Sequence, residues 1–144
     1  MHQATRRLVI VLVASLVVSF SIVNAVASEA SRSTKAPAEP PKGVTEFLLS
    51  TAAAEFKTSS PLRIAALRQV RIGYFSDVGP GRYVLCGRVR PADSRKTGWI
   101  QFATVQTSPY EQWLGGVAES ICTSKKIKLY PKDLSSELLK RVQS

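Results

Sequence analysis

Histidine is almost missing from this sequence. Of 144 residues only His2 is a histidine, and it lies in a segment expected to be removed. A mature chain without imidazole cannot form a Ser-His-Asp triad or a Cys-His nucleophilic pair. It cannot ligate zinc through imidazole either, and two cysteines alone are a poor transition-metal site. Acid is also short, with 10 Asp and Glu against 20 Lys and Arg, a formal charge of +10. The acids are scattered singly, so a carboxylate-dependent hydrolase working through Asp77, Asp93 or Glu111 is the weakest of the functional readings. No cofactor or metal is implied.

Long apolar runs are absent except at the start. Arg6 and Arg7 precede an apolar stretch over residues 8–23, interrupted by Ser15, Ser19 and Ser21. Ala25-Val26-Ala27 then supplies small residues where a signal peptidase acts, so residues 1–27 read as a secretory signal peptide cleaved after Ala27. The stretch falls short of the roughly 20 residues that span a bilayer core, which counts against a retained anchor. No cysteine follows it, which excludes a lipoprotein anchor. The expected destination is the periplasm or the extracellular space, and the mature chain is not expected to be an integral membrane protein. Removal of residues 1–27 leaves 117 residues, with 18 basic against 10 acidic, or +8.

Only two cysteines are present, Cys86 and Cys122. In an oxidising compartment a pair of cysteines favours a disulfide. Their separation of 36 residues would give such a link about 4 kcal/mol on the chain-entropy account. The competing readings are two free thiols, or a Cys86 thiolate activated by Arg82, Arg88 and Arg90. No C-x-x-C pair supports a redox enzyme.

Large apolar residues are lacking from residues 28–43, "SEASRSTKAPAEPPKG", which read as a Pro, Ala and Ser-rich disordered tether. Residues 44–144 read as one compact domain. Val44, Leu48, Ala52 and Phe56 recur at i+4 and predict a helix over 44–57. Ser60 and Pro61 predict the start of a second short helix over 61–69. The period then changes to two. "VRIGYF" and "RYVLCGRV", separated by "SDVGPG", predict a β-hairpin. "WIQFATVQT" predicts a third strand, "TSPYEQWLGG" a loop, and "ICTSKKIKLY" a fourth strand carrying Cys122. Pro131 ends that strand, and Asp133 is placed to cap a last helix carrying Leu134, Leu138 and Val142. The expected fold is therefore α+β, a small antiparallel sheet of three to four strands packed by two to three short helices, with one disulfide.

Ser60-Pro61, Arg68, Cys86-Gly87-Arg88-Val89, Gly98-Trp99 and Phe102 together resemble a pattern in small exported bacterial proteins of uncharacterised function. The pattern is a short amphipathic segment, a Cys-Gly-x-Val strand, a polar turn, then Gly, an aromatic and Phe. The turn "RPADSRKTG" departs from the Asn-Ala-Lys-Asn-like stretch typical of that group. The resemblance covers about a third of the chain. It implies a small exported domain with a second, C-terminal cysteine, and no activity.

Basic residues are the surplus. Arg71, Arg88 and Arg90 are expected on one sheet face, with Arg95 and Lys96 in the adjacent turn. A face of one sign attracts anionic partners. No nucleic-acid motif accompanies it, and no aromatics alternate with these arginines in sequence. Tyr110 and Trp113 are a second candidate contact, for a protein partner. The expected function is a non-enzymatic binding or structural module touching anionic envelope components or a protein. The alternative is an accessory or effector of a secretion, conjugation or host-interaction system.

Overall fold

The computed structural model describes residues 38–58, 63–78, 81–93 and 98–144. The chain divides into two units, Met1–Thr34 and Lys35–Ser144, and every described residue belongs to the second. The expected signal peptide, most of the expected tether, Ser60-Pro61, Arg95 and Lys96 lie outside the described residues.

The elements run α1 (Lys42–Thr58), β1 (Ile64–Phe75), β2 (Tyr83–Pro91), β3 (Ile100–Gln106), β4 (Tyr110–Leu114), α2 (Gly116–Cys122), β5 (Ile127–Leu129) and α3 (Ser135–Gln143). All five strands form one antiparallel sheet in the order β4-β3-β2-β1-β5. The fold is α+β as the sequence implied, with one strand more than expected.

Alternation on β2 and β3 divides the core between the two faces of the sheet. Leu85 and Val89 of β2, with Phe102 of β3, meet α1 and α3 in one apolar cluster. Leu48, Leu49, Ala52, Ala53 and Phe56 form the buried stripe of α1, the i, i+4 pattern that predicted the helix. The Phe56 ring meets Phe102 edge-on at 5.2 Å. Arg141 of α3 donates to both carboxylate oxygens of Glu46 on α1, at 2.7 and 2.8 Å. Val84, Cys86, Ala103 and Val105 point to the other face, where Ala118 of α2 and Ile127 of β5 complete a smaller cluster. A disulfide joins Cys86 to Cys122. It ties the middle of β2 to the last residue of α2.

Three sequence expectations need correction. The segment expected as a helix over 61–69 is the first half of β1. Ile64, Leu67 and Val70 are all buried, and their three-residue spacing imitates a helix. Two register shifts against β2 explain it, one between Ile64 and Ala66 and one between Arg68 and Arg71. Each bulge inserts an extra residue, so the strand period of two becomes three. The segment expected as a loop contains β4, which pairs with β3 from Phe102↔Leu114 to Gln106↔Tyr110. Its residues are half-buried or exposed, so little apolar alternation marks it. The segment expected as a fourth strand with Cys122 is split. Cys122 ends α2, and only Ile127–Leu129 is strand.

Asp133 contributes to the start of α3 from one position outside the cap. Its carboxylate accepts the Ser135 N–H at 2.8 Å. The Ser135 hydroxyl in turn accepts the Val70 N–H at 3.1 Å, and Leu134 N–H bonds to Val70 C=O at 2.7 Å. These contacts cover the outer edge of β1 beside its second bulge. Among the described residues no helix is long and apolar enough to cross a membrane.

Candidate functional site: an arginine-lined half of the sheet

Antiparallel pairing decides which arginines share a face. Arg71 faces Cys86 across β1 and β2, Arg68 faces Arg88, and Ala66 faces Arg90. Cys86, Arg88 and Arg90 have the same parity on β2. Arg68, Arg71, Arg88 and Arg90 therefore all project from the face that carries the disulfide. The α2 helix covers the apolar end of that face. The disulfide marks the boundary, and the arginines occupy the other half. Arg71, Arg88 and Arg90 come together as expected from the sequence.

Two residues were not among the expected contacts. Arg68 was assigned to a helix, and the bulge that placed it on this face leaves no simple period to read. Trp99 immediately precedes β3. It lies with the Arg68 guanidinium 4.2 Å and the Arg90 guanidinium 5.3 Å from its ring centroid. Both distances suit a cation–π contact. The aromatic missing between the arginines in sequence is thus supplied between them in space. A guanidinium stacked on a ring keeps its in-plane N–H groups free for other acceptors.

Arg71 and Arg88 line a cleft of about 240 Å³, together with Gln69, Gln101, Leu129 and the two cysteines. Arg88 donates from Nε to Gln101 Oε1 at 3.2 Å. The Arg71 Nε is enclosed and has no hydrogen-bond partner. Gln69 has φ 54°, the one non-glycine residue with positive φ among the described residues. A residue held there costs about 1–3 kcal/mol and persists only where its surroundings hold it. Here the second bulge of β1 holds it, opposite Gly87. The described ion pairs join Arg63 to Asp93, Lys126 to Asp77, and Arg141 to Glu46 and Glu137. None involves Arg68, Arg71, Arg88 or Arg90.

Gly87 explains part of the Cys-Gly-x-Val pattern. It pairs with Phe102, and a Cβ there would lie 2.6 Å from the Phe102 ring and 2.9 Å from Val70. Glycine lets the ring lie flat over the strand between the disulfide cysteine and Arg88.

The remaining candidates are dispersed. Asp77 follows β1 and is held below the usual carboxylate range by its hydrogen bond to Lys126. Asp93 lies beyond the opposite end of β2, paired with Arg63 at 3.2 Å. Glu111 accepts from Trp113 Nε1 at 3.3 Å on β4. The three acids do not converge. Among the described residues no three His, Cys, Asp or Glu side chains gather as a metal site. Tyr110 and Trp113 have opposite parity on β4, so they do not make one patch. The Tyr110 hydroxyl donates to Glu55 of α1 at 2.9 Å, which pushes its pKa up. Trp113 is exposed and lies near Leu114 and Val117 in sequence, also exposed.

No family model matches the chain, nor does any curated protein or solved structure. What this face does therefore has to be argued from its own chemistry. Four guanidiniums without a carboxylate partner among the described residues, two side-chain amides and an indole form a surface of hydrogen-bond donors. Such a surface is complementary in charge and hydrogen bonding to oxyanions.

A second hollow of about 240 Å³ lies where the N-terminus of α1 meets Tyr130 and Leu134, with Lys42 and Lys132 at its rim. Its walls include Ile72 and Pro40. The Tyr130 hydroxyl is enclosed and unbonded. Burial, with Tyr83 and Tyr74 nearby, pushes its pKa up.

Proposed function

We propose that the protein is an exported, non-enzymatic binding module that contacts an anionic envelope component through the uncovered arginine half of its sheet. The observation that carries this reading is the convergence of Arg68, Arg71, Arg88 and Arg90 on one face, two of them stacked on Trp99, with no carboxylate among the described residues paired to any of them. An arginine face of an ordinary solvated protein tends to be interleaved with acids. The N-terminal pattern of two arginines, an apolar run and an A-x-A site supports export, and a disulfide is compatible with it. The resemblance to small exported bacterial proteins agrees with both and adds no activity.

The test is retention on an anionic polysaccharide matrix. The wild-type mature chain is expected to elute only at raised salt, because paired surface charges are screened at a Debye length of about 8–10 Å near physiological ionic strength. Charge reversal at Arg71, Arg88 and Arg90 should move elution to much lower salt. Unchanged elution would remove the reading.

A protein partner is the second reading, favoured by Trp113, Leu114 and Val117, which are 40, 39 and 50% exposed. Such a partner would belong to a secretion, conjugation or host-interaction system. Trp113→Ser should then abolish capture of the partner while leaving matrix retention intact.

A further inference from the structure

We infer that the cleft between Arg71 and Arg88 seats a single oxyanion group, a carboxylate, phosphate or sulfate, carried as the end or side group of a larger ligand. This deepens the anion-binding reading and rests on it. The difference is one of kind: a charged face attracts any polyanion, whereas a shaped cleft selects a group.

The donor set comes first. Arg88 spends Nε on Gln101, which fixes the plane of its guanidinium and leaves the terminal N–H groups to the cleft. Gln101 accepts through its oxygen and so retains its amide N–H groups as donors. Gln69 adds a second amide, and Arg71 a second guanidinium. Among the described residues no side-chain carboxylate lines the cleft, so a ligand oxyanion there meets no competitor from them. Paired guanidiniums match the two oxygens of a carboxylate, phosphate or sulfate in a fork-to-fork geometry.

The backbone supplies an independent argument. Strands alternate, so a regular β1 could not place both Arg68 and Arg71, three residues apart, on this face of the sheet. The bulge does this, and it requires the left-handed conformation of Gln69. Bulges that re-aim side chains recur beside functional sites. The one strained non-glycine residue described thus lies at this cleft. Its floor is the disulfide, which cannot titrate or move away. Arg71 Nε is enclosed without a partner among the described residues, so the guanidinium is partly desolvated, and an anion on its terminal N–H groups would pair its charge.

Size limits the occupant. A volume of about 240 Å³ holds about eight waters at roughly 30 Å³ each. It is smaller than the roughly 300–1,000 Å³ of sites that enclose a whole drug-sized ligand. One anionic group fits, and the remainder of the ligand lies outside, along the Arg68–Trp99–Arg90 row.

The experiment is an NMR titration of the full mature chain, labelled with nitrogen-15, against sodium phosphate, sulfate and glucuronate in turn at constant ionic strength. Saturable shifts are expected in the side-chain amides of Gln69 and Gln101 and in the backbone of residues 69–71 and 86–88, with a half-point of roughly 1–10 mM for the preferred anion. The anion with the lowest half-point identifies the group. R71K/R88K keeps the charge and removes the fork. It should raise the half-point about tenfold and change matrix retention little. R68Q/R90Q should do the converse. Shifts that grow linearly and spread over all exposed arginines overturn the proposal, as does an R71K/R88K variant that titrates like wild type. Saturation without matrix retention leaves the cleft standing and removes the surface reading. Retention without saturation removes the cleft alone.

Discussion

Gly87 shows how one missing atom can organise a sheet. The Phe102 ring occupies the space that a Cβ would need, with Val70 closing the other side. Gly87→Ala should destabilise the protein by about 1–3 kcal/mol, the usual cost of overpacking, as a lower denaturant midpoint. Trimming the ring in Gly87→Ala/Phe102→Leu should cost less than the sum of the two single changes, because the two sites share one contact. Strict additivity would show that the glycine is needed for something other than the ring. Gln69 makes the opposite prediction. Glycine tolerates φ 54° freely, so Gln69→Gly should leave stability unchanged or raise it by up to about 1 kcal/mol, after the entropy lost to the more flexible unfolded chain. A loss beyond that would mean the backbone there is not strained.

Among the elements, α2 has the least support of its own. It is seven residues long and buries only Ala118, too short to persist by helix propensity. The Cys86–Cys122 bond holds it against β2. Replacing both cysteines by alanine should cost about 2–4 kcal/mol, and amide exchange should accelerate first in α2 and β5. Uniform acceleration across the sheet would contradict this. The clamp between α1 and α3 responds to acid. The Arg141 hydrogen bonds hold Glu46 below its ordinary pKa. A lowered folded value means that the stabilisation is complete above the unfolded pKa near 4.5 and fades as pH falls through the folded value. Glu46→Gln should therefore lower the melting temperature slightly at pH 7, and the two melting curves should converge near pH 2. A difference that does not change with pH would place the clamp elsewhere. The effect is small because Glu46 is exposed.

Legibility from sequence also divides by element. α1 and the β2–β3 pair were readable because each keeps one period and buries what that period selects. β1 was not, because two bulges gave Ile64, Leu67 and Val70 a helix-like spacing. β4 was not, because an edge strand with half-buried and exposed side chains leaves little pattern. The arginine face was legible as far as β2 alternation carried it. Arg68 depended on a bulge and Trp99 on a neighbouring strand, and neither relation is local. The disulfide was legible from the count of two cysteines and the expectation of export.

At the scale of the whole molecule, the two faces of the sheet have separate tasks. α1 and α3 bury most of the core on one side, whereas among the described residues no helix lies above the arginine half of the other side. Substitutions at Arg68, Arg71, Arg88 or Arg90 should change binding far more than melting temperature. The single crosslink has a consequence in time as well. With two cysteines and both engaged, the chain has no incorrect internal partner to choose. Oxidation of the reduced, denatured chain at low concentration should yield one monomeric product without an isomerase, in a single chromatographic peak. The step that assembles α2 onto the sheet is thus a bond the protein can form late and never has to correct.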